Sequence, residues 1–223
     1  MDKNLLKEFF EKQLIPLWGV AGLKKDGPLL LPKNLQGRFT SAVVYAFPLS
    51  DAVIDLLSGG PDLIYLHHYR QVNYLLDRIG ILAAELLRQN GYSGLPVPTN
   101  QVIDWKEEKG LLSLRQIAIR AGLGWIGRNN LLITPDFGSR IRLSAVLTDA
   151  PLDAGEPISF GCGKCTRCLS RCPANAIKAE LGDFNLAVCR QFIKETCGRK
   201  RIGQNICGLC LCSAKDQLCD GKT

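Results

Sequence analysis

Apolar residues recur at helical spacing over residues 3–14, where Leu5, Leu6, Phe9, Phe10 and Leu14 share one stripe. The next stretch, GVAGLKKDGPLLLPKNL (19–35), is rich in Gly and Pro and reads as a loop. TSAVVYAFPLS (40–50) is apolar and β-branched, the composition of a buried strand, and Pro48 ends it. Over residues 62–89, Tyr65, Tyr69, Val72, Leu75, Leu76, Ile79, Leu82, Leu86 and Leu87 line one face, which predicts a long helix. Gly80 interrupts it, and Gly91 is placed to stop it. GYSGLPVPTNQVID (91–104) reads as a loop that crosses back, and residues 111–121 as a helix capped by Gly122. NNLLITPDFGSRIRLSAVLTD predicts two strands about a DFGS turn, and APLDAGEP (150–157) a linker. No internal repeat is present. Helices interleaved with strands before the linker predict an α/β (α+β) layer domain over 1–150, with a separate module over 151–223.

The 223 residues are 46% hydrophobic and 22% charged, enough to bury a core, which excludes a disordered or collagen-like chain. The N-terminal MDKNLLKEFFEKQL has no apolar signal region. No apolar run approaches the roughly 18 residues of a membrane span. The expectation is a soluble, cytoplasmic protein without a membrane partner. All 10 cysteines lie between Cys162 and Cys219, none before. In a reducing compartment such a cluster points to metal ligation rather than disulfides. The net charge is +7: residues 1–150 hold 17 bases and 14 acids, residues 151–223 hold 11 and 7. Iron–sulfur cubanes held by thiolates are anionic and would offset the basic excess of the tail. The competing reading of the charge is a nucleic-acid surface.

CGKCTRCLSRCP places Cys162, Cys165, Cys168 and Cys172 before Pro173 as C-x2-C-x2-C-x3-C-P. Three thiolates at two-residue gaps on a turning loop can each take a different iron of one cubane. The fourth, beyond the turn, points away to a second cluster. Pro173 suits the first turn of a helix. Zinc favours two well-separated C-x2-C pairs, and a disulfide framework is the remaining alternative. Two [4Fe-4S] clusters are the reading that closes. The first takes Cys162, Cys165, Cys168 and Cys212, with Cys219 as the other candidate for the last ligand; the second takes Cys172, Cys189, Cys207 and Cys210. Cys197 and Cys219 are then spare. A two-cluster wire needs a redox partner, and the cysteine-free region supplies no metal ligands beyond His67 and His68. It should therefore bind an organic cofactor or a partner.

RAGLGWIGRNNLL (120–132) concentrates Gly122, Gly124 and Gly127, then Arg128, Asn129 and Asn130. It follows a helix and enters a strand, so it is not a dinucleotide fingerprint; a helix cap with Trp125 in the core is the plainer reading. AGLGWIGRNNLLI…FGSRIRLSAVLTD followed by the double-cluster cysteines resembles the epoxyqueuosine reductase family and its shorter relatives over roughly residues 40–215, in a plan shared with reductive dehalogenases. That resemblance implies a nitroreductase-like cobalamin-binding domain followed by a small bacterial-ferredoxin-like double-cluster module. It implies that the two clusters feed electrons to a cobalamin, with Gly124, Trp125, Gly127, Arg128 and Asn129 on the corrinoid side.

The chain also departs from the family pattern. The last cysteine motif is CGLCLCSAK, with Ala214 where a cysteine is usual, so Cys212 must substitute. The chain ends at Thr223 without helical repeats, which leaves tRNA open but disfavoured as a substrate. The family's proton-donating carboxyl falls at Glu108 by an ungapped count, with Asp104 the neighbouring alternative; a buried carboxyl there would be a general acid, an exposed one a surface charge. His67 or His68 on cobalt is a further option. GRKR (198–201) reads as a solvated loop or a docking site for an acidic electron donor such as ferredoxin or flavodoxin. Two functions follow: a corrinoid-dependent iron–sulfur reductase of a small molecule or modified nucleoside, or an electron-transfer protein that reduces a partner's corrinoid and has no substrate of its own.

Overall fold

The computed structural model describes residues 1–23, 35, 37–100 and 110–214. Glu108, Asp104 and Cys219, all named above, lie outside the described residues. The fold is mixed α/β, in two compact units that interleave along the sequence. The first takes residues 1–47, 73–123 and 142–158; the second takes 48–72, 124–141 and 159–223. The change in cysteine content near residue 150 therefore marks a change in chemistry, while contacts group 48–72 and 124–141 with the cysteine segment.

The first unit is built on a four-stranded sheet in the order β1-β2-β6-β3, from strands β1 (Leu17–Gly22), β2 (Ser41–Pro48), β3 (Gly94–Val97) and β6 (Ile141–Thr148). β1 pairs antiparallel with β2, Leu17 opposite Ala46, and β3 antiparallel with β6, Gly94 opposite Thr148. β2 and β6 are the inner strands and the most apolar, as the sequence suggests. β1 and β3 come from segments that read as loops. Both are edge strands, where Pro96 loses no ladder bond that an inner strand would need. Gly19 is in strand β1 because a Cβ there would lie 2.7 Å from the Ala121 carbonyl oxygen.

Helix α1 (Lys3–Lys12) starts at Asp2, whose carboxylate accepts the Asn4 N–H at 2.8 Å. It buries Leu6 and Phe10, and Phe10 stacks on Trp18 and packs on Tyr45, each at 5.3 Å. Helix α2 (Asp51–Asp55) is one short turn. The long helix α3 (Leu63–Gln89) closes as its periodicity predicts: Tyr92 N–H reaches Leu87 O and Gly91 N–H reaches Arg88 O, with Gly91 at φ +83°. Gly80 is inside α3 because the Tyr45 hydroxyl occupies the space a Cβ would need, 2.7 Å away. That hydroxyl donates to Leu76 O at 3.0 Å. Helix α4 (Leu114–Arg120) ends in the same way at Gly122. No helix among the described residues is long and apolar enough to cross a membrane.

In the second unit, strands β4 (Trp125–Ile126) and β5 (Leu132–Ile133) form an antiparallel hairpin. The DFGS turn does bring Thr134 against Gly138. Its two flanks do not pair along their length, however: β5 pairs with β4, and β6 runs into the other sheet. The cysteine segment adds the short helix α5 (Arg167–Ser170) and helix α6 (Leu186–Arg199). Pro173 follows α5 in a turn, closed by Asn175 N–H to Cys172 O at 3.0 Å, rather than opening a helix. Buried Arg140 bonds Asp51 and Asp55 at 2.7 Å each and so ties α2 to the residue that follows the DFGS turn.

Candidate metal centre and its supporting hairpin

The nine described cysteines are all free thiols. Several lie close enough to influence one another. Burial pushes the Cys168 thiol up to about 11, and Cys212, Cys162 and Cys165 add to the rise. Burial likewise drives Cys210 upward, reinforced by Cys207, Cys189, Cys172 and, last, Cys168. Cys207 is pushed up to about 11 by burial against the lowering effect of the Leu209 N–H, with Cys189, Cys172 and Cys197 raising it further. Cys189 rises by burial and by Cys172, while Arg190 opposes the rise. Cys168 thus lies near Cys212, Cys162 and Cys165, and Cys210 near Cys207, Cys189 and Cys172, with Cys168 the thiol that neighbours both groups.

Half-buried thiols massed in this way are poor thiolates alone and good ones once a cation arrives, because metal binding releases their protons. The donor chemistry suits iron. Among the described residues no three His, Cys, Asp or Glu side chains gather tightly enough for a single bare ion. Cys197 is buried in α6 and its thiol donates to Ile206 O at 3.2 Å.

The β4–β5 hairpin holds this segment. Arg128 donates from Nε to Ala179 O at 2.6 Å, from Nη1 to Cys165 O at 3.0 Å and from Nη2 to Gly163 O at 2.9 Å. Its guanidinium also lies 5.8 Å from the centre of the Phe160 ring. One fork therefore fixes the loop between the first ligands and leaves its positive charge beside them. Buried Asn129 donates to Cys210 O at 3.0 Å and accepts the Leu131 N–H at 3.3 Å. Trp125 Nε1–H points at Cys162 Sγ, 3.3 Å away. Gly124 and Gly127 flank Trp125 in this hairpin, where Gly127 N–H bonds Leu131 O. The Arg128 guanidinium and the Asn129 amide, which read as ligand donors in the sequence, are spent on the cysteine segment. Sequence reasoning missed Ser139, whose hydroxyl oxygen accepts the Cys212 N–H at 2.9 Å. It also missed Arg171, which donates to Leu211 O at 3.0 Å. A serine in a DFGS string signals a turn and nothing more, so no sequence cue pointed to it.

His68 accepts the Ser50 N–H on Nε2 at 2.9 Å, which occupies the lone pair of that nitrogen, while His67 is exposed. Burial lowers the His68 pKa, and His67 lowers it further. The folded form therefore prefers neutral imidazole. Its contribution is present above the ordinary value near 6.5 and is lost as pH falls through the lower folded value. An NMR titration should show the His68 ring and the Ser50 amide shifting together below pH 6.5, and His68→Phe should abolish the step at Ser50.

No protein-family profile matches the chain. An epoxyqueuosine reductase of Bacillus anthracis is 30% identical over 198 residues, which is 85% of this chain and 50% of that protein. A catabolic reductive dehalogenase superposes with a TM-score of 0.76 at 20% identity, over 93% of this chain and 31% of the other. An epoxyqueuosine reductase solved with an epoxyqueuosine-modified tRNA-Tyr stem loop gives 0.56 at 22% identity, over 86% and 57%. The chain spans about half the length of the curated relative it matches.

Proposed function

This chain is a relative of the epoxyqueuosine reductases, and from that premise we propose that it is an iron–sulfur oxidoreductase. In this reading its cysteine segment, a bacterial-ferredoxin-like module, holds two [4Fe-4S] clusters. The first is held by Cys162, Cys165, Cys168 and Cys212, the second by Cys172, Cys189, Cys207 and Cys210. The observation that carries it is the gathering of half-buried thiols around Cys168 on one side and around Cys210 on the other.

Clusters held there would supply electrons one at a time, taken from a low-potential donor such as ferredoxin or flavodoxin. The family resemblance extends the reading to a cobalamin held by a nitroreductase-like domain, which would supply a cobalt centre able to reduce substrate. Gly124, Trp125, Gly127, Arg128 and Asn129 are placed on the corrinoid side by that resemblance alone. Glu108 is the proposed general acid. The substrate class is a small molecule or a modified nucleoside. That an epoxyqueuosine reductase is solved with a tRNA stem loop supports the nucleoside.

The chain's own residues do separate work. Arg128 fixes the loop of the first three ligands through three carbonyls and balances part of the cluster charge. Asn129 and Arg171 fix the loop carrying Cys210 and Cys212.

Anaerobic purification tests the reading. The expected result is about eight irons per chain, a brown protein that dithionite bleaches, and a change in the cobalt spectrum when hydroxocobalamin is added. Full iron with no response to corrinoid would make the chain an electron-transfer protein with no substrate of its own. Zinc in place of iron would overturn the proposal altogether. Glu108→Gln should abolish turnover while leaving iron content unchanged.

A further inference from the structure

Two side chains outside the ligand sets reach sulfur atoms of the first set. Trp125 Nε1–H lies 3.3 Å from Cys162 Sγ. The indole nitrogen can only donate, so the direction of this bond is fixed. Ser139 Oγ lies 3.4 Å from Cys212 Sγ. Chemistry settles the direction of that contact as well. The Ser139 oxygen accepts the Cys212 N–H at 2.9 Å and faces the Asn129 amide nitrogen at 3.5 Å. With donors on its acceptor sites, its one hydrogen is left for the sulfur, and a metal-bound Cys212 has no proton to give. Trp125, Ile133 and Cys212 form one buried cluster with the partly buried Cys162 packed on it, so the Ser139–Cys212 contact is buried and the Trp125–Cys162 contact is largely sheltered from water.

We propose that Trp125 and Ser139 are positioning residues that set the reduction potential of the first cluster, each by a hydrogen bond to a ligand sulfur, Trp125 to Cys162 and Ser139 to Cys212. The inference rests on the reading of the cysteines as cluster ligands. Reduction places one electron on the cluster, [4Fe-4S]2+ becoming [4Fe-4S]1+, with no bond made or broken and no proton moved. The added charge spreads onto the thiolate sulfurs, which then accept a hydrogen bond more strongly. Each donor therefore favours the reduced state more than the oxidised one and raises the potential. Trp125, expected from family resemblance to face a corrinoid, acts here on the iron.

The test is an anaerobic dithionite titration of the iron-loaded full chain, followed by electron paramagnetic resonance, comparing wild type with Trp125→Phe and Ser139→Ala. Phenylalanine keeps an aromatic ring and removes the donor. For one of the two clusters, the ratio of reduced to oxidised form at a fixed potential should fall about tenfold, which is about 59 mV for a one-electron couple. The other cluster should titrate unchanged and iron content should hold. Ser139→Thr, which keeps a hydroxyl, should restore the potential that Ser139→Ala loses. After exchange into heavy water, pulsed resonance should detect a deuteron beside the reduced cluster that Trp125→Phe removes.

Unchanged midpoints in both variants with full iron would overturn the proposal. If Trp125→Phe fails to load iron, the Ser139 pair decides it. Wild type that holds no reducible cluster would fail the functional reading itself, which metal analysis detects before any variant is made.

Discussion

Cys212→Ala should halve the iron of the anaerobically purified protein, from about eight to about four per chain, and leave one reducible cluster. Cys212 is the only member of its set outside the Cys162–Cys168 loop. It comes from a CGLCLC string in which Cys207 and Cys210 belong to the other set. Its backbone is fixed on both sides of its Cα, since its N–H donates to Ser139 Oγ at 2.9 Å and its carbonyl accepts the Ser139 N–H at 2.9 Å. Alanine keeps those backbone bonds and removes only the sulfur. The loss should therefore be a loss of ligation, with the remaining cluster intact. Folding should change little, because a thiol packed among Trp125, Ile133 and Cys162 contributes about 1 kcal/mol of burial. Iron analysis together with the integrated signal of the reduced protein measures the result. A variant that kept both clusters would remove Cys212 from the ligand set and leave the two-cluster reading standing with another fourth ligand.

The difference between Cys212 and its neighbours also shows what the sequence could and could not convey. Cysteine spacing is local, so the proposed ligand motif C-x2-C-x2-C-x3-C-P could be read from the chain alone; the 3.6-residue period of α3 was legible too, and its Schellman stop at Gly91 has a fixed residue preference. Strands β1 and β3 were not legible. Gly19, Gly22 and Pro96 argue against a strand, and what makes them strands is their place at the edges of a sheet whose inner strands are distant in sequence. The partners of Arg128 were equally hidden. Its donors go to the carbonyls of Gly163, Cys165 and Ala179, groups every residue possesses, and no side-chain pattern announces them. The same holds for Asn129 on Cys210 O. The sequence identified 124–129 as chemically dense. Only the fold shows that this density is turned toward the cysteines.

Gly124→Ala should be the most destabilising single-methyl change in this hairpin. A Cβ at Gly124 would stand 1.9 Å from Ile133 O and 2.9 Å from Ile133 C, both backbone atoms of the strand paired with β4. No side-chain rotation relieves a methyl pressed on a carbonyl, so the hairpin must open. The expected cost is about 3 kcal/mol, or a fall of roughly 6–12 °C in Tm for a chain of this size. The effect should not stay local. Trp125, Arg128 and Asn129 hang from the same hairpin and reach Cys162 Sγ, the carbonyls of the first ligand loop, and Cys210 O. Moving β4 away from β5 disturbs the supports of both thiol sets, so iron should fall for both clusters together, unlike the selective loss in Cys212→Ala. Gly198→Ala supplies the comparison. Gly198 lies in α6, where a Cβ would meet nothing within 4 Å, and alanine there should raise Tm slightly through its helix propensity. A Gly124→Ala protein with wild-type Tm and full iron would mean that the hairpin does not support the cysteine segment as its hydrogen bonds indicate.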